Sequence, residues 1–403
     1  MRKRLTTILT ERAPILPEKV ANNDLKINKE PIILVHGFAG FARDNTPHGL
    51  MPYWGGLKVN ITSTLNIEGY DIYEASIGSM TSSYDRAVEL YYYIKGGRVD
   101  YGAYHSNKFG HHRFGKTYEG IFPDWQPGKK VHFIGHSMGG QTIRILEHML
   151  RYGRPEEVAY ANTHHLKVAS LFIGGQDDMI NTITTIGTPH NGTYIADRLG
   201  NKNLIKSFFY RLVENEGIAS FKVDWGFGQW GLRQQKGESY FAYIKRVRAN
   251  KLWQTTDNGF YDLTLKGSEE INNKLSINPN IRYKSYSTVA THKSFFTKYQ
   301  IANVGMFAPF YLTGIISTIS GTPEWWENDG LVPAISAEGP FTEPRSYNKK
   351  VKIDRGVWHV VPRMYGWNHM DQIGGNMTNL LHTPGELIDF YRTLVKELVL
   401  FEK

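Results

Sequence analysis

The chain of 403 residues contains no cysteine. That absence excludes a disulfide scaffold, a thiol nucleophile and a Cys-ligated metal site, without fixing a cellular compartment. No stretch approaches the ~18 consecutive apolar residues of a membrane span. Internal repeats, low-complexity tracts and an obvious linker are lacking as well. Met1-Arg-Lys-Arg4 resembles the start of a signal peptide, but Leu5 to Leu9 is broken by two threonines and is too short for its apolar region. Acidic residues are the scarcer charge: 38 Asp and Glu face 47 Lys and Arg, an excess of nine positive charges. Such a surface favours anionic partners such as membranes, lipid aggregates or nucleic acid, or is simply well solvated. What is abundant is aromatic residues, 13% of the chain, together with 40 glycines. This content excludes disorder. At roughly 100–200 residues per domain the length allows two or three domains or one large α/β domain. With no linker visible, one domain with insertions is expected over 1–403, with an extended lead-in over 1–28.

Short β-branched runs that end in glycine mark the strands. Pro31-Ile-Ile-Leu-Val35 leads into His36-Gly37, and Val131-His-Phe-Ile134 leads into Gly135. Ile183-Thr-Thr-Ile186 leads into Gly187-Thr-Pro189, while Tyr283–Ser287 and Val357–Val361 are weaker candidates. After the second run, Ile143, Leu146, Met149 and Leu150 recur at helical spacing, so a helix should begin near Met138. Strands alternating with helices indicate an α/β fold with a mostly parallel central sheet and helices on both faces. Leu204, Ile205, Phe208, Phe209, Leu212 and Val213 form a bulky amphipathic face, suited to a core helix or to a cover over an apolar pocket.

Gly135-His136-Ser137-Met138-Gly139 has the form G-x-S-x-G between a strand and a helix. This pattern carries a serine on a strained turn, with small flanking residues that let neighbouring backbone approach. A serine hydroxyl needs a base, and the base needs an orienting acid. In α/β-hydrolases these follow in the order Ser, acid, His. His359 lies in a strand-like run, and His382 precedes Thr383-Pro384 at the start of the last helix, so His369 in a loop is the expected base. Asp329, on the turn Glu327-Asn-Asp-Gly330, is the expected acid; Asp354 stands among charges. His36-Gly37-Phe38 follows the first strand, so the backbone N–H groups of Phe38 and Met138 would face a developing oxyanion. On spacing alone, His105 and His111 read as surface histidines rather than metal ligands.

Several motifs combine. Ile32-Ile-Leu-Val-His-Gly-Phe38, Tyr53-Trp-Gly-Gly56, Tyr84-Asp-Arg-Ala-Val-Glu89, Gly135-His-Ser-Met-Gly-Gly-Gln-Thr142, Thr185-Ile-Gly-Thr-Pro-His190, Gln229-Trp-Gly-Leu232, Glu327-Asn-Asp-Gly330 and His369-x-Asp371 together resemble the secreted staphylococcal lipases, relatives of the thermostable Geobacillus-type lipases. The resemblance covers nearly everything after residue 28. It implies an α/β-hydrolase with a helical lid, over approximately 195–240, and a zinc-binding insertion, over approximately 80–120. It also implies hydrolysis of triacylglycerols and short-chain esters at a lipid–water interface, with no nucleic-acid partner, and a secreted protein whose signal and pro-region are absent from this chain. Carried over, the triad is Ser137, Asp329 and His369. The family's structural zinc would be held by Asp85, His105, His111 and a later acid, matched at Asp224; His112 matches no ligand. Its structural calcium would lie beside the histidine loop, on Gly305 and Met377 through their carbonyls and on Asp371 and Asn376. Asn376 stands where the family has Asp, which implies weaker calcium affinity. A phospholipase A1 with broad lipase activity is the alternative within enzymes. A non-catalytic lipid-binding protein on the same fold is the alternative outside them.

Overall fold

A computed structural model describes residues 26–43, 52–199, 225–347, 353–377 and 379–402. The amphipathic run 204–213, Asp224 and most of the lead-in lie outside the described residues.

Seven strands form one sheet: β1 (Ile32–Val35), β2 (Ile72–Glu74), β3 (Val131–His136), β4 (Ile180–Ile186), β5 (Arg282–Tyr286), β6 (Arg345–Ser346) and β7 (Trp358–Val360). Their order across the sheet is β6-β7-β5-β4-β3-β1-β2, and every pairing is parallel. The three glycine-terminated runs lie side by side as β4, β3 and β1, none of them at an edge. All four residues of β1 are buried, as expected for a strand covered on both faces.

Alternation along β1 divides the core. Ile33 and Val35 face one side, where they join Phe133, Ile183 and residues of helices α1 (Ser83–Lys95) and α2 (Met138–Tyr152). Ile32 and Leu34 face the other side, with Ile134, Ile186 and the inner face of the last helix: Leu387, Tyr391, Leu394 and Val395. Each such buried aliphatic contributes roughly 1.5–3 kcal/mol. Truncating Ile33 to alanine would therefore cost about 2–5 kcal/mol. Because all strands run the same way, the turns after β1, β3 and β4 converge at one edge of the sheet, where open α/β folds place their ligands.

Candidate active site and metal centre

The turn after β3 carries Ser137 with φ 54° and ψ −131°, a strained conformation for a residue with a side chain. Its N–H donates to the Ile186 carbonyl at 2.9 Å. The close approach demands the flanking glycines. A Cβ on Gly139 would lie 2.1 Å from the Val35 carbonyl oxygen, and one on Gly135 would lie 2.7 Å from the Gly140 nitrogen. Met138 opens α2, so its N–H has no acceptor within the helix. Phe38 packs edge-on against Phe260, with ring centroids 4.5 Å apart, and both Phe38 and Met138 border Gly259.

His369 and Asp329 meet at the same edge. The His369 Nδ1 lies 2.7 Å from Asp329 Oδ2, with both side chains buried. The loops are also tied through the backbone, His369 N–H donating to the Asp329 carbonyl at 2.9 Å. The other carboxylate oxygen, Oδ1, accepts from the Leu331 and Val332 N–H groups at 3.0 and 2.7 Å. The His369 ring packs 4.5 Å from that of His136, the residue before Ser137. Thus the structure brings the serine turn, the histidine and the acid together.

Four supporting residues went unselected by sequence reasoning. Gln372 donates to Asp329 Oδ2 at 3.0 Å and contacts His136 Nε2 through its own Oε1, also at 3.0 Å. Tyr53 accepts from Gly37 N–H at 2.8 Å and meets His136 Nδ1 at 2.6 Å. Burial, with the His369 ring nearby, holds His136 well below the ordinary histidine range. Arg86, fully buried, donates to the His36 carbonyl, to the Gly78 carbonyl and to Thr142 Oγ1. The remaining residue is Asp257.

Asp257 completes a second cluster with Asp85, His105 and His111. His105 Nε2 lies 3.3 Å from both Asp85 Oδ1 and Asp257 Oδ2, and His111 Nε2 lies 3.4 Å from Asp257 Oδ2. Among the described residues the second acid of this cluster is Asp257; the Asp224 expected from the resemblance lies outside them. The approach of Asp257 depends on Ser82 Oγ, which caps α1 by accepting from Asp85 N–H and donates to Asp257 Oδ1 at 2.5 Å. The arrangement fits zinc. Tetrahedral ligands at about 2.0–2.1 Å from a metal stand about 3.3 Å from one another. The four inward atoms, Asp85 Oδ1, His105 Nε2, His111 Nε2 and Asp257 Oδ2, are buried and hydrogen-bonded to nothing. The outer atoms of two further ligands are satisfied: Gln229 donates to Asp85 Oδ2 at 2.8 Å, and His111 Nδ1 meets the His112 carbonyl at 2.9 Å. Tyr84 stacks on His105 with centroids 3.8 Å apart. Burial alone would lower the His105 pKa; the Asp257 and Asp85 carboxylates reverse this and push it to about 9.

The residues expected to hold calcium fit a hard divalent cation poorly. Gly305, Asp371 and Asn376 do come together. However, the Gly305 carbonyl accepts amide N–H groups from Asn368 at 3.2 Å and from Asn376 at 3.0 Å. Asp371 Oδ2 accepts from Asn368 N–H at 3.0 Å and from the Asn379 amide at 2.9 Å. Only Asp371 Oδ1 is buried without a partner. Burial raises the Asp371 pKa, and the cluster contains a single carboxylate to balance two positive charges. Met377 is partly exposed.

A family described as lipase-like C-terminal domain matches residues 28–403. Lipase 1 of Staphylococcus aureus (strain NCTC 8325 / PS 47) is 50% identical over 386 residues, 96% of this chain and 56% of its own. A lipase of Staphylococcus epidermidis is 50% identical over 376 residues, 93% of this chain and 54% of its own. The chain thus spans about half the length of the curated relatives it matches. Among solved structures, Staphylococcus hyicus lipase superposes with a TM-score of 0.86 at 44% identity, covering 95% of this chain and 98% of that one. EstA from Clostridium botulinum superposes at 0.82 with 37% identity, covering 91% and 87%.

Proposed function

Because the chain belongs to the family of lipase-like C-terminal domains, we propose that it is a serine carboxylic ester hydrolase acting on triacylglycerols and shorter esters outside the cell. The observation that carries this reading is the Asp329–His369 pair, 2.7 Å apart, beside a serine held on a strained turn.

In this mechanism Ser137 Oγ attacks the ester carbonyl while His369 Nε2 takes its proton. Asp329 holds the Nδ1–H tautomer and stabilises the imidazolium. The negative charge on the carbonyl oxygen is met by the Met138 and Phe38 N–H groups, in place before the reaction begins. The C–O bond breaks as His369 returns the proton to the leaving alcohol, and the acyl group remains on Ser137. Water then attacks this ester while His369 takes its proton; the acyl–Oγ bond breaks as His369 returns that proton to Ser137 Oγ, and the fatty acid leaves.

Asp85, His105, His111 and Asp257 would hold zinc as a closed structural site. The ion would supply a cross-link between α1, residues 103–111 and residue 257, and none of the catalytic protons. The loop bearing His369 relies instead on the amides of Asn368, Asn376 and Asn379.

Release of fatty acid from tributyrin, triolein and a phosphatidylcholine, measured side by side, tests the substrate class; dominant release from phosphatidylcholine would favour the phospholipase alternative. Ser137→Ala should reduce hydrolysis by several orders of magnitude with the melting temperature retained. A mutant keeping a tenth of the activity would remove Ser137 from the mechanism.

A further inference from the structure

Residues 299–323 contain no Asp, Glu, Lys, Arg or His, in a chain that is 21% charged. Within this run lies helix α3 (Phe310–Ser320), which is packed the wrong way round for a water-soluble surface. Besides Phe310 it buries Gly314, Ser317 and Thr318, whereas Tyr311, Leu312, Ile315 and Ile319 are exposed. The polar side is engaged beside the catalytic acid: Thr313 Oγ1 donates to the Gly330 carbonyl at 2.7 Å, and the Asn328 amide donates to the Gly314 carbonyl at 3.2 Å.

Just upstream, residues Thr291–Lys293 and Gln300–Ala302 pair as an antiparallel hairpin. Its tip is a closed turn. Ser294 N–H donates to the Tyr299 carbonyl at 3.0 Å, and Ser294 Oγ accepts from the Phe296 and Thr297 N–H groups at 3.1 and 3.2 Å. This turn holds Phe295 and Phe296 outward, 94% and 97% exposed. Exposed Lys293 and Lys298 flank them. The base of the hairpin is anchored at the acid turn, Ala290 N–H donating to the Asn328 carbonyl at 2.9 Å and Asn328 N–H to Thr291 Oγ1 at 3.2 Å.

Two adjacent aromatic rings in water beside a helix with an outward apolar face form a patch that soluble surfaces ordinarily avoid. Lysines on either side supply the complementary charge for an anionic surface, and their stems can lie along the apolar boundary. We propose that the hairpin tip 294–298 and the exposed face of α3 form a docking surface for an anionic lipid layer. Phe295 and Phe296 seat at the boundary of headgroups and acyl chains, while Lys293 and Lys298 meet the headgroup charge. Since the hairpin and α3 both attach to residues 328–330, docking would present the Asp329 edge of the molecule to the lipid. The proposal rests on the lipid-ester reading for its purpose but not for its test.

The full chain carrying Ser137→Ala is mixed with phosphatidylcholine vesicles with or without phosphatidylglycerol, and bound protein is measured by sedimentation. Binding should be stronger with phosphatidylglycerol. Phe295→Ser combined with Phe296→Ser should weaken it at least about tenfold. Lys293→Glu with Lys298→Glu should weaken it about tenfold or more on anionic vesicles alone, each lysine near such a surface being worth about fivefold. In the active background, the phenylalanine variant should keep its melting temperature and its kcat/KM on soluble p-nitrophenyl acetate. Vesicle affinity within twofold of the parent for the phenylalanine variant overturns the proposal, as does a parent whose affinity ignores phosphatidylglycerol. A dimer in solution that the phenylalanine substitutions dissociate, with vesicle affinity unchanged, overturns it in favour of a second copy. Hairpin-dependent vesicle binding by a chain that hydrolyses no ester would sustain the docking surface and end the hydrolase reading; ester hydrolysis without such binding would do the reverse.

Discussion

Asp85 and Arg86 are neighbours on α1, yet they serve different sites: the carboxylate faces His105 at 3.3 Å, while the guanidinium donates to the His36 carbonyl. Adjacent helical residues point about 100° apart. One therefore reaches the metal cluster and the other reaches the loop that carries Phe38. Burial draws the Arg86 pKa down to about 10, still high enough for a full charge at neutral pH.

Arg86→Met should leave the His36 and Gly78 carbonyls without their donor. We expect destabilisation of about 3 kcal/mol. If Phe38 serves the oxyanion as proposed, the slackened loop that carries it should also lower kcat/KM by about 10- to 100-fold, chiefly through kcat. Thermal melting and turnover of p-nitrophenyl butyrate give the two readouts. An unchanged kcat in a destabilised variant would reduce Arg86 to a packing role.

Zinc content separates Asp257 from Asp224. Asp257→Ala should abolish stoichiometric zinc and lower the melting temperature, because a metal held only by the folded state stabilises it. Asp224→Ala should keep both. Elemental analysis of the purified proteins, with melting curves before and after chelation, decides between them; zinc lost from the Asp224 variant would contradict the observed cluster.

Asp257 shows where sequence reading stopped. Ser137, Asp329 and His369 stood out in the sequence because each sits on a local turn with its own chemical signature, and three buried runs announced three adjacent strands of the sheet. Asp257 had no such signature. It reaches His105 only because α1 places Ser82 and Asp85 beside it. Ile72–Glu74 and Arg345–Ser346 were too short and too polar to show a strand period. His359 and His382, passed over as the base, meet Asp354 N–H at 2.9 Å and Glu386 Oε2 at 3.0 Å. α3 could have been suspected from its uncharged run, but only the structure shows which face is buried.

Acid should destabilise the protein through its buried histidines. Burial and then the Arg86 charge lower the His36 pKa to about 3; burial lowers that of His148 to about 4, and those of His136 and His190 well below normal. Below the unfolded value of 6.5 the unfolded chain binds protons that the native state refuses, so stability falls as pH drops from 6.5 toward 4. Glu147 and Asp262, raised to about 7 by burial, act in the opposite sense, because the native state takes up their protons first. His359 adds to the histidine side, and Glu89, Glu157, Asp197 and Asp371 to the acid side; because the histidines lose stability over the whole fall from pH 6.5 to 4, we expect their sum to prevail. Melting temperatures at pH 7 and 4.5 should show the decrease; a higher value at pH 4.5 would mean that the acids dominate.

Calcium should matter little to the His369 loop. Its key oxygens already accept N–H groups from Asn368, Asn376 and Asn379, and an amide supplies none of the charge that a carboxylate would. A calcium-selective chelator should therefore leave melting temperature and ester turnover unchanged after zinc is restored. Asn376→Asp with Asn379→Asp would place three carboxylates, with Asp371, around one buried point. Without a cation these should repel and lower the melting temperature, and added calcium should restore it. Chelation that destabilises the unaltered chain, with rescue by calcium but not by zinc, would show that the amides ligate the ion through their carbonyl oxygens and that the cation, not the amide network, holds His369 in place.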